Sequence, residues 1–215
     1  VTFKYFKDPV ASANALKSGE VDVLANLQAP DLLSSFEKEG DKFKVVEGTS
    51  NGEVLLALNN ADGVFKDKKV REAVMYALDE QAIIDTAWSG HGTLIGSMVP
   101  PTDPYYEDLN DIWPHDVEKA KKLVEEADVK GETVKFTVPN LPYATASANV
   151  VVSQLEAVGL KAKVETQEFP AVWLDKTFTN HEYDMSIINH IEARDMLTVF
   201  GEGYYTGYCL LYTSD

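Results

Sequence analysis

A group of polar side chains that could bind a charged ligand lies in residues 189–195. The polar members of this segment are Asn189, His190, Glu192, Arg194 and Asp195. An apolar run precedes them, so a strand there would carry two carboxylates and a guanidinium at its end. Such groups form the strong charge-assisted hydrogen bonds that fix a charged ligand. Two plainer interpretations remain open, namely a solvated surface cluster or Asp195 as the cap of a helix that begins near Met196.

Metal binding and catalysis find little support in the sequence. The sequence contains four histidines, which are His91, His115, His181 and His190. No short ligand spacing such as His-x-x-His occurs between them. No cysteine or acidic partner is expected to complete a ligand set, so we expect no metal centre and no other cofactor. A hydrolase would need a nucleophile elbow or a Ser-His-Asp set, and a nucleotide enzyme would need a phosphate-binding glycine loop. We expect none of these, and therefore no enzyme.

Composition sets the scale of the molecule and disfavours some partners. The 215 residues are 45% hydrophobic and 25% charged, which suffices for one large domain or two small ones around a core. A net charge of −16 argues against nucleic acid or an anionic membrane surface as a partner. No apolar run approaches the roughly 20 residues of a membrane span. The single cysteine cannot form an internal disulfide.

The amino-terminal part of the chain has the pattern of an α/β fold. Residues 1–6, 20–24 and 43–46 alternate or cluster apolar side chains as short strands do. Helices are expected between them, because Pro9 and Pro30 each stand where a first-turn proline begins a helix. These segments predict a β-α-β arrangement.

The rest of the chain continues this pattern. The apolar run 54–58 predicts a buried strand. Three aspartates are expected to cap helices that follow it: Asp67, Asp79 and Asp116. Residues 133–166 predict strand, helix and strand in an order that forms a right-handed parallel crossover. A last helix from Pro170 and a last strand over 183–189 complete the α/β pattern.

The final seven residues, 209–215, have a different character. They begin with Cys209, contain no turn chemistry, and carry no charge before the last residue. They resemble the translation of a transposase adapter used in sequencing libraries, and a natural apolar strand is the alternative. In the adapter interpretation Cys209 has no role, and the tail is left out of the fold.

Several stretches, in their sequence and in their order, resemble one known family. They cover residues 15–22, 58–60, 64–74, 76–79, 98–101, 116–123, 155–160 and 183–185. The most typical include Leu58-Asn59-Asn60, Tyr76-Ala77-Leu78-Asp79 and Met98-Val99-Pro100-Pro101. Together they are similar to the extracytoplasmic solute-binding proteins of peptide and nickel ABC importers, solute-binding protein family 5. The resemblance extends over nearly all of residues 1–208.

The resemblance implies a fold and a division into lobes. Family members are two-lobed α/β proteins of the periplasmic-binding-protein type, and this chain would hold mostly one lobe plus part of the other. Residues 1–54 would be part of the first lobe and the crossover, and 55–188 would be the second lobe. Residues 189–208 would cross back towards the first lobe. We expect the gene product to continue beyond both ends, with a lipoprotein signal upstream.

The resemblance also implies a function. Family members close a cleft on a solute and deliver it to an ABC permease and its ATPase. We therefore expect an oligopeptide or dipeptide-like solute, captured outside the membrane in a periplasm or by a cell-surface lipoprotein. Membrane contact would occur only through an anchor or the permease. The alternatives are a nickel chelate or other small solute, and an interaction module without a transport role.

The same resemblance assigns the site residues. In peptide-binding relatives an acidic residue of the crossing segment pairs with the α-ammonium of the ligand, a role that Glu192 or Asp195 would take here. Their neighbours in the predicted site are Arg194, His190 and Asn189. Asn59 and Asn60 would offer neutral hydrogen bonds to a peptide backbone, although such residues more often form turns. Met196 follows Asp195 where many relatives have proline, which leaves a shift of one residue open.

Overall fold

The structure, a computed structural model, describes residues 1–27, 29–97 and 99–191, and these contain an α/β fold. Their helices are α1 (Pro9–Lys17), α2 (Pro30–Glu37), α3 (Lys68–Ala77), α4 (Glu80–Ala87), α5 (Val117–Glu126), α6 (Pro142–Ala157) and α7 (Ala171–Trp173). Their strands are β1 (Gly52–Leu58), β2 (Thr133–Pro139), β3 (Lys161–Gln167) and β4 (Met185–Ile191). A 3-10 helix at Val64–Lys66 precedes α3, and a π-helical turn at Leu174–Thr179 extends α7. No helix in these ranges combines the length and the apolar character needed to cross a membrane.

The four strands form one mixed sheet in the order β1-β4-β2-β3. β1 and β4 are antiparallel over seven residue pairs, from Gly52 opposite Ile191 to Leu58 opposite Met185. β2 is parallel to both β3 and β4. The parallel strand, helix and strand predicted over residues 133–166 are therefore confirmed as β2, α6 and β3.

The main hydrophobic core lies on the face of the sheet that α6 covers. Phe136 and Met185 of the sheet are fully buried there together with Leu155 of α6. Because side chains alternate between the two faces along a strand, Ile188 of β4 lies on the opposite face. There it packs in a smaller cluster with Trp173. Both faces of the sheet are thus covered, which explains why β4 has apolar side chains on both faces, with Ile187 on one and Ile188 on the other.

A buried polar network holds α7 against the sheet. The indole nitrogen of Trp173 donates to Ser186 Oγ at 3.1 Å, and Ser186 donates to the carbonyl of Thr137 at 2.8 Å. Thr177 of the π-helical turn donates to Gln167 Oε1 at 2.8 Å. Buried polar groups cost little when each has a partner, so this network positions the turn without weakening the core.

Three strands predicted near the amino terminus are wrong. Residues 1–6, 20–24 and 43–46 lie outside the sheet of the described residues and have irregular backbone there. A strand needs a ladder partner for its backbone N–H and C=O groups, and the apolar pattern alone does not supply one. The predicted β-α-β arrangement is therefore not found within residues 1–27 and 29–97, although α1 and α2 both form at their prolines.

The three predicted aspartate caps are confirmed. Each carboxylate accepts a backbone N–H in the first turn of its helix. The pairs are Asp67 with Lys69, Asp79 with Ala82 and Asp116 with Lys119. The last strand begins two residues later than predicted, because Tyr183 belongs to the preceding turn and buries its ring beside Trp173.

We predict that Asp116→Ala lowers the free energy of unfolding by about 1 kcal/mol, because the Lys119 N–H loses its acceptor at 2.9 Å. Urea denaturation followed by circular dichroism measures the change. Asp116→Asn is the matched control, since its amide oxygen still accepts the bond and asparagine caps helices about as well as aspartate. An equal loss in both variants would show that the charge, and not the cap, stabilises α5.

Candidate functional site

A cavity of about 1300 Å³ lies between the amino-terminal stretch and the sheet. Residues 42–50 and 52–54 line one wall, and α4 lines the other together with Trp88 and residues 90–95. Ile187 and Asn189 of β4 contribute to its lining beside α6. Pockets for small ligands usually have about 300 to 1000 Å³, so this cavity has room for an extended solute.

β1 and β4 bring two distant segments of the chain to the same edge of this cavity. Gly52 begins β1 and pairs with Ile191 at the end of β4. A Cβ at residue 52 would lie 3.1 Å from both Asn189 Oδ1 and Ser50 Oγ. The Gly52 amide donates to that same Ser50 oxygen at 3.1 Å. Glycine therefore permits the close approach of the segments that lead into β1 and out of β4.

Asn189 is a predicted site residue that the structure places in the cavity wall. Its backbone N–H donates to the Tyr143 hydroxyl at 2.9 Å. Burial raises the pKa of Tyr143, and the Asn189 amide opposes part of this shift by favouring the phenolate. The phenol remains protonated at neutral pH, and it holds the end of β4 against α6.

The loop before β1 is tied to the chain that follows α4. Thr102 Oγ1 donates to Asn51 Oδ1 at 2.8 Å and also lies 3.4 Å from the Ser50 carbonyl oxygen. These bonds fix residues 50 and 51 at the cavity edge, where their remaining polar atoms can meet a solute. Ser50 lines the cavity, and Asn51 adjoins it.

Residues 48–52 match the pattern Gly-x-Ser-x-Gly, against the expectation of no nucleophile motif. That motif exposes a reactive serine only at a sharp turn from a strand into a helix. Ser50 instead follows irregular chain and precedes β1, and its hydroxyl accepts the Gly52 amide. The local structure is therefore not a nucleophile elbow.

His190 lies on the other face of the sheet from Asn189. It is buried and directly opposite Glu53 in the β1–β4 register. Neighbouring residues of a strand point to opposite faces, so the two predicted site residues cannot both face the cavity. His190 is not among the residues that line it.

Asn59 and Asn60 lie far from Asn189. They follow the opposite end of β1, about 20 Å from Gly52 at roughly 3.3 Å per residue. Asn59 is buried, its side-chain nitrogen donates to the Tyr183 carbonyl at 3.0 Å, and its oxygen accepts the Ala61 N–H at 3.2 Å. Asn59 thus joins the end of β1 to the start of β4, and it does not contribute to the cavity.

Three predicted site residues, Glu192, Arg194 and Asp195, lie outside the described residues, as does the tail 209–215. Their roles stay predictions. The lobe boundaries at residues 54 and 188 also stay predictions, and they fall within β1 and β4, the two strands that meet at the cavity edge.

Glu80 is a charged cavity residue that no sequence pattern distinguished. It stands at the start of α4, where an acidic residue is ordinary because it complements the helix dipole. Desolvation by the surrounding protein raises its pKa. The Glu80 side chain is nevertheless exposed at the cavity wall, where a solute can reach its carboxyl group.

Two histidines lie beside carboxylates, so the expectation that no acidic partner accompanies a histidine is wrong. His91 Nε2 lies 3.5 Å from Glu37 Oε2, and His91 Nδ1 contacts Glu47. His115 Nδ1 lies 3.9 Å from Asp79 Oδ2. These carboxylates are remote from the histidines in sequence, which is why spacing alone did not indicate them.

Solved structures of ABC transporter substrate-binding proteins share this fold. The ABC transporter substrate-binding protein CtaP of Listeria monocytogenes matches with a TM-score of 0.81 at 21% identity, over 96% of this chain and 44% of that one. The oligopeptide-binding protein AppA of Bacillus subtilis, in complex with a nonapeptide, matches with a TM-score of 0.74 at 23% identity. The match covers 88% of this chain and 41% of that one. The predicted α/β fold of the periplasmic-binding-protein type is confirmed.

The sequence then defines the family within this class. The profile of the bacterial extracellular solute-binding proteins, family 5 Middle, matches residues 1–204, and the chain belongs to this family. A dipeptide-binding protein of Pseudomonas aeruginosa is 29% identical over 174 residues, which are 78% of this chain and 32% of that protein. Heme-binding protein A of Haemophilus influenzae is 29% identical over 160 residues, which are 72% of this chain and 29% of that protein. The chain thus spans about a third of the length of these curated relatives.

Tyr143→Phe should lower the free energy of unfolding by about 1 kcal/mol or more, because the Asn189 N–H loses its acceptor. Urea denaturation measures the loss, and hydrogen exchange by NMR should show a faster Asn189 amide. Tyr105→Phe is the control, since Tyr105 is 73% exposed and its hydroxyl can bond to water. Unchanged stability and exchange in Tyr143→Phe would contradict the role of this hydrogen bond.

Proposed function

We propose that the full-length protein is the solute-binding component of an ABC importer and captures a dipeptide- or oligopeptide-like solute outside the membrane. The observation that carries this proposal is the family match over residues 1–204. Family 5 proteins are solute-binding proteins. This chain has a cavity of about 1300 Å³, and polar residues such as Ser50 and Asn189 line one edge of it. The solute, the permease and its ATPase are all parts of the proposal, because the chain spans only a third of its relatives.

Peptide-like solutes are favoured by the chemistry of the cavity. Ser50 and Asn189 line one edge with neutral polar groups, and Ile83 and Trp88 of the opposite wall provide apolar contact. An extended peptide presents regularly spaced amides and side chains that need both kinds of surface. Among the relatives, one is named a dipeptide-binding protein and the AppA structure holds a nonapeptide.

Delivery to a permease requires the cavity to close and open. In the proposed protein the two lobes meet at β1 and β4, which pair side by side at the cavity edge. A pair of hydrogen-bonded strands can bend at its ends while its register persists, and this is how hinge closure couples binding to transport. The protein would act in the periplasm or at the cell surface, held there free or through a lipid anchor.

The amino terminus of a bound peptide would meet an acid of the crossing segment. β4 ends at Ile191, opposite Gly52 at the cavity edge, so the chain continues from that edge into Glu192. A carboxylate of Glu192 or Asp195 would then pair with the α-ammonium of the peptide. Arg194, close by in sequence, would serve the opposite charge of the solute or balance these acids.

Isothermal titration calorimetry of the full-length protein tests the solute class. Dipeptides to pentapeptides should bind with saturation, while simple sugars should release no heat of binding. Nickel chelates and haem should be titrated as well, since they represent the other solutes known or named among relatives. Saturation by sugars alone, or by a chelate in place of every peptide, would contradict the peptide proposal.

Alanine substitution of Glu192 and of Asp195 tests the α-ammonium contact. Loss of the true partner should weaken a peptide with a free amino terminus roughly tenfold or more, since a hydrogen bond to a charged group contributes about 1.5 to 3 kcal/mol. The same peptide with an acetylated amino terminus is the matched ligand, and it should lose much less. Equal losses for both peptides in both variants would count against either residue in this role.

A further inference from the structure

His91, Glu37 and Glu47 form a cluster of metal-ligating side chains beside the cavity. One ligand atom from each residue lies within 4.8 Å of the ligand atoms of the other two. The residues come from three separate segments: the end of α2, the loop before β1 and the loop after α4. We propose that these three residues bind a divalent transition-metal ion of the zinc class.

The charges of the cluster call for a cation. A neutral imidazole has one N–H donor and one lone pair, yet both nitrogens of His91 face a glutamate. One nitrogen lone pair would then be directed at a carboxylate, and this repulsion is removed by a second proton on the imidazole or by a metal ion between the two groups. A dication bound to one nitrogen and both carboxylates removes this repulsion and balances the two negative charges.

The neighbouring lysines do not balance these two glutamates. Among the described residues, Lys17 pairs with Glu39 at 3.1 Å and Lys42 pairs with the same residue at 3.6 Å. These lysines lower the pKa of Glu39, Lys17 through its hydrogen bond most of all. In the same part of the chain, the ion pairs of Glu37 and Glu47 are those with His91. Lys17 and Lys42 therefore pair with Glu39 and not with Glu37 or Glu47.

The ligand types and spacing favour zinc over a hard cation. Zinc binds imidazole nitrogen and carboxylate oxygen at about 2.0 to 2.2 Å, which places tetrahedral ligand atoms roughly 3.4 Å apart. The separation of 3.5 Å between His91 Nε2 and Glu37 Oε2 is close to this value. Magnesium and calcium prefer all-oxygen ligand sets. Three protein ligands leave a fourth position for water or for an oxygen of a solute in the cavity.

A bound ion would also connect parts of the chain that otherwise share few regular contacts. Glu37 and Glu47 belong to the stretch before β1, whereas His91 follows α4. The ion would join these two walls at the cavity margin and so stabilise their relative position. This inference concerns the amino-terminal wall and does not depend on which solute the protein carries.

Calorimetric titration of the chelator-treated full chain with zinc chloride tests the site. A Cys209→Ser background removes the thiol, and one zinc ion per chain and a raised Tm are expected. His91→Ala should weaken zinc about 100-fold or more, because even partners outside the ligand shell typically contribute 10- to 100-fold. Glu47→Gln keeps the shape of its side chain and should also weaken zinc strongly.

The matched control is His115→Ala. His115 is also half-exposed near a carboxylate, but its described acidic partner is Asp79 alone, at 3.9 Å. This variant should bind zinc like the unaltered chain. Full zinc affinity in both His91→Ala and Glu47→Gln would overturn the proposal. Magnesium binding as tight as zinc binding would also overturn it, since that result describes an acidic surface with counterions.

Discussion

The antiparallel pairing of β1 with β4 is the constraint on which the cavity depends. These strands come from distant parts of the sequence, and seven paired residues align them from Gly52 to Leu58. The register decides which side chains reach the cavity, because a shift of one residue would move every side chain to the other face. It places Asn189 in the cavity wall and His190 opposite Glu53 on the far face. The glycine at residue 52 is what allows the segments to meet so closely.

The cavity has one regular wall and one irregular wall. On the sheet side, Tyr143 bonds to the backbone of Asn189 and the network around Trp173 holds the opposite face of β4. On the other side, residues 42–51 form no strand or helix. Backbone without ladder or helix hydrogen bonds deforms at lower cost than a sheet does. The cavity thus lies between a fixed surface and a more adaptable one.

Local charge pairing matters more at this site than the net charge of −16. Lys17 and Lys42 both engage Glu39, which leaves Glu37 and Glu47 beside a single imidazole. Glu80, on the facing wall, is desolvated enough to raise its pKa. Net charge describes solubility and long-range steering, whereas these short distances set what the cavity can hold.

Helix starts could be predicted from the sequence because they depend on residues only a few positions apart. The caps Asp67, Asp79 and Asp116 are of this kind, and the β2–α6–β3 unit could be predicted from the periodicity within each of its three segments. The partners of each segment depend on contacts between distant residues, which spacing does not record. Only the tertiary structure therefore left residues 1–6 outside the sheet, gave Asn59 an internal role, and brought two glutamates to His91.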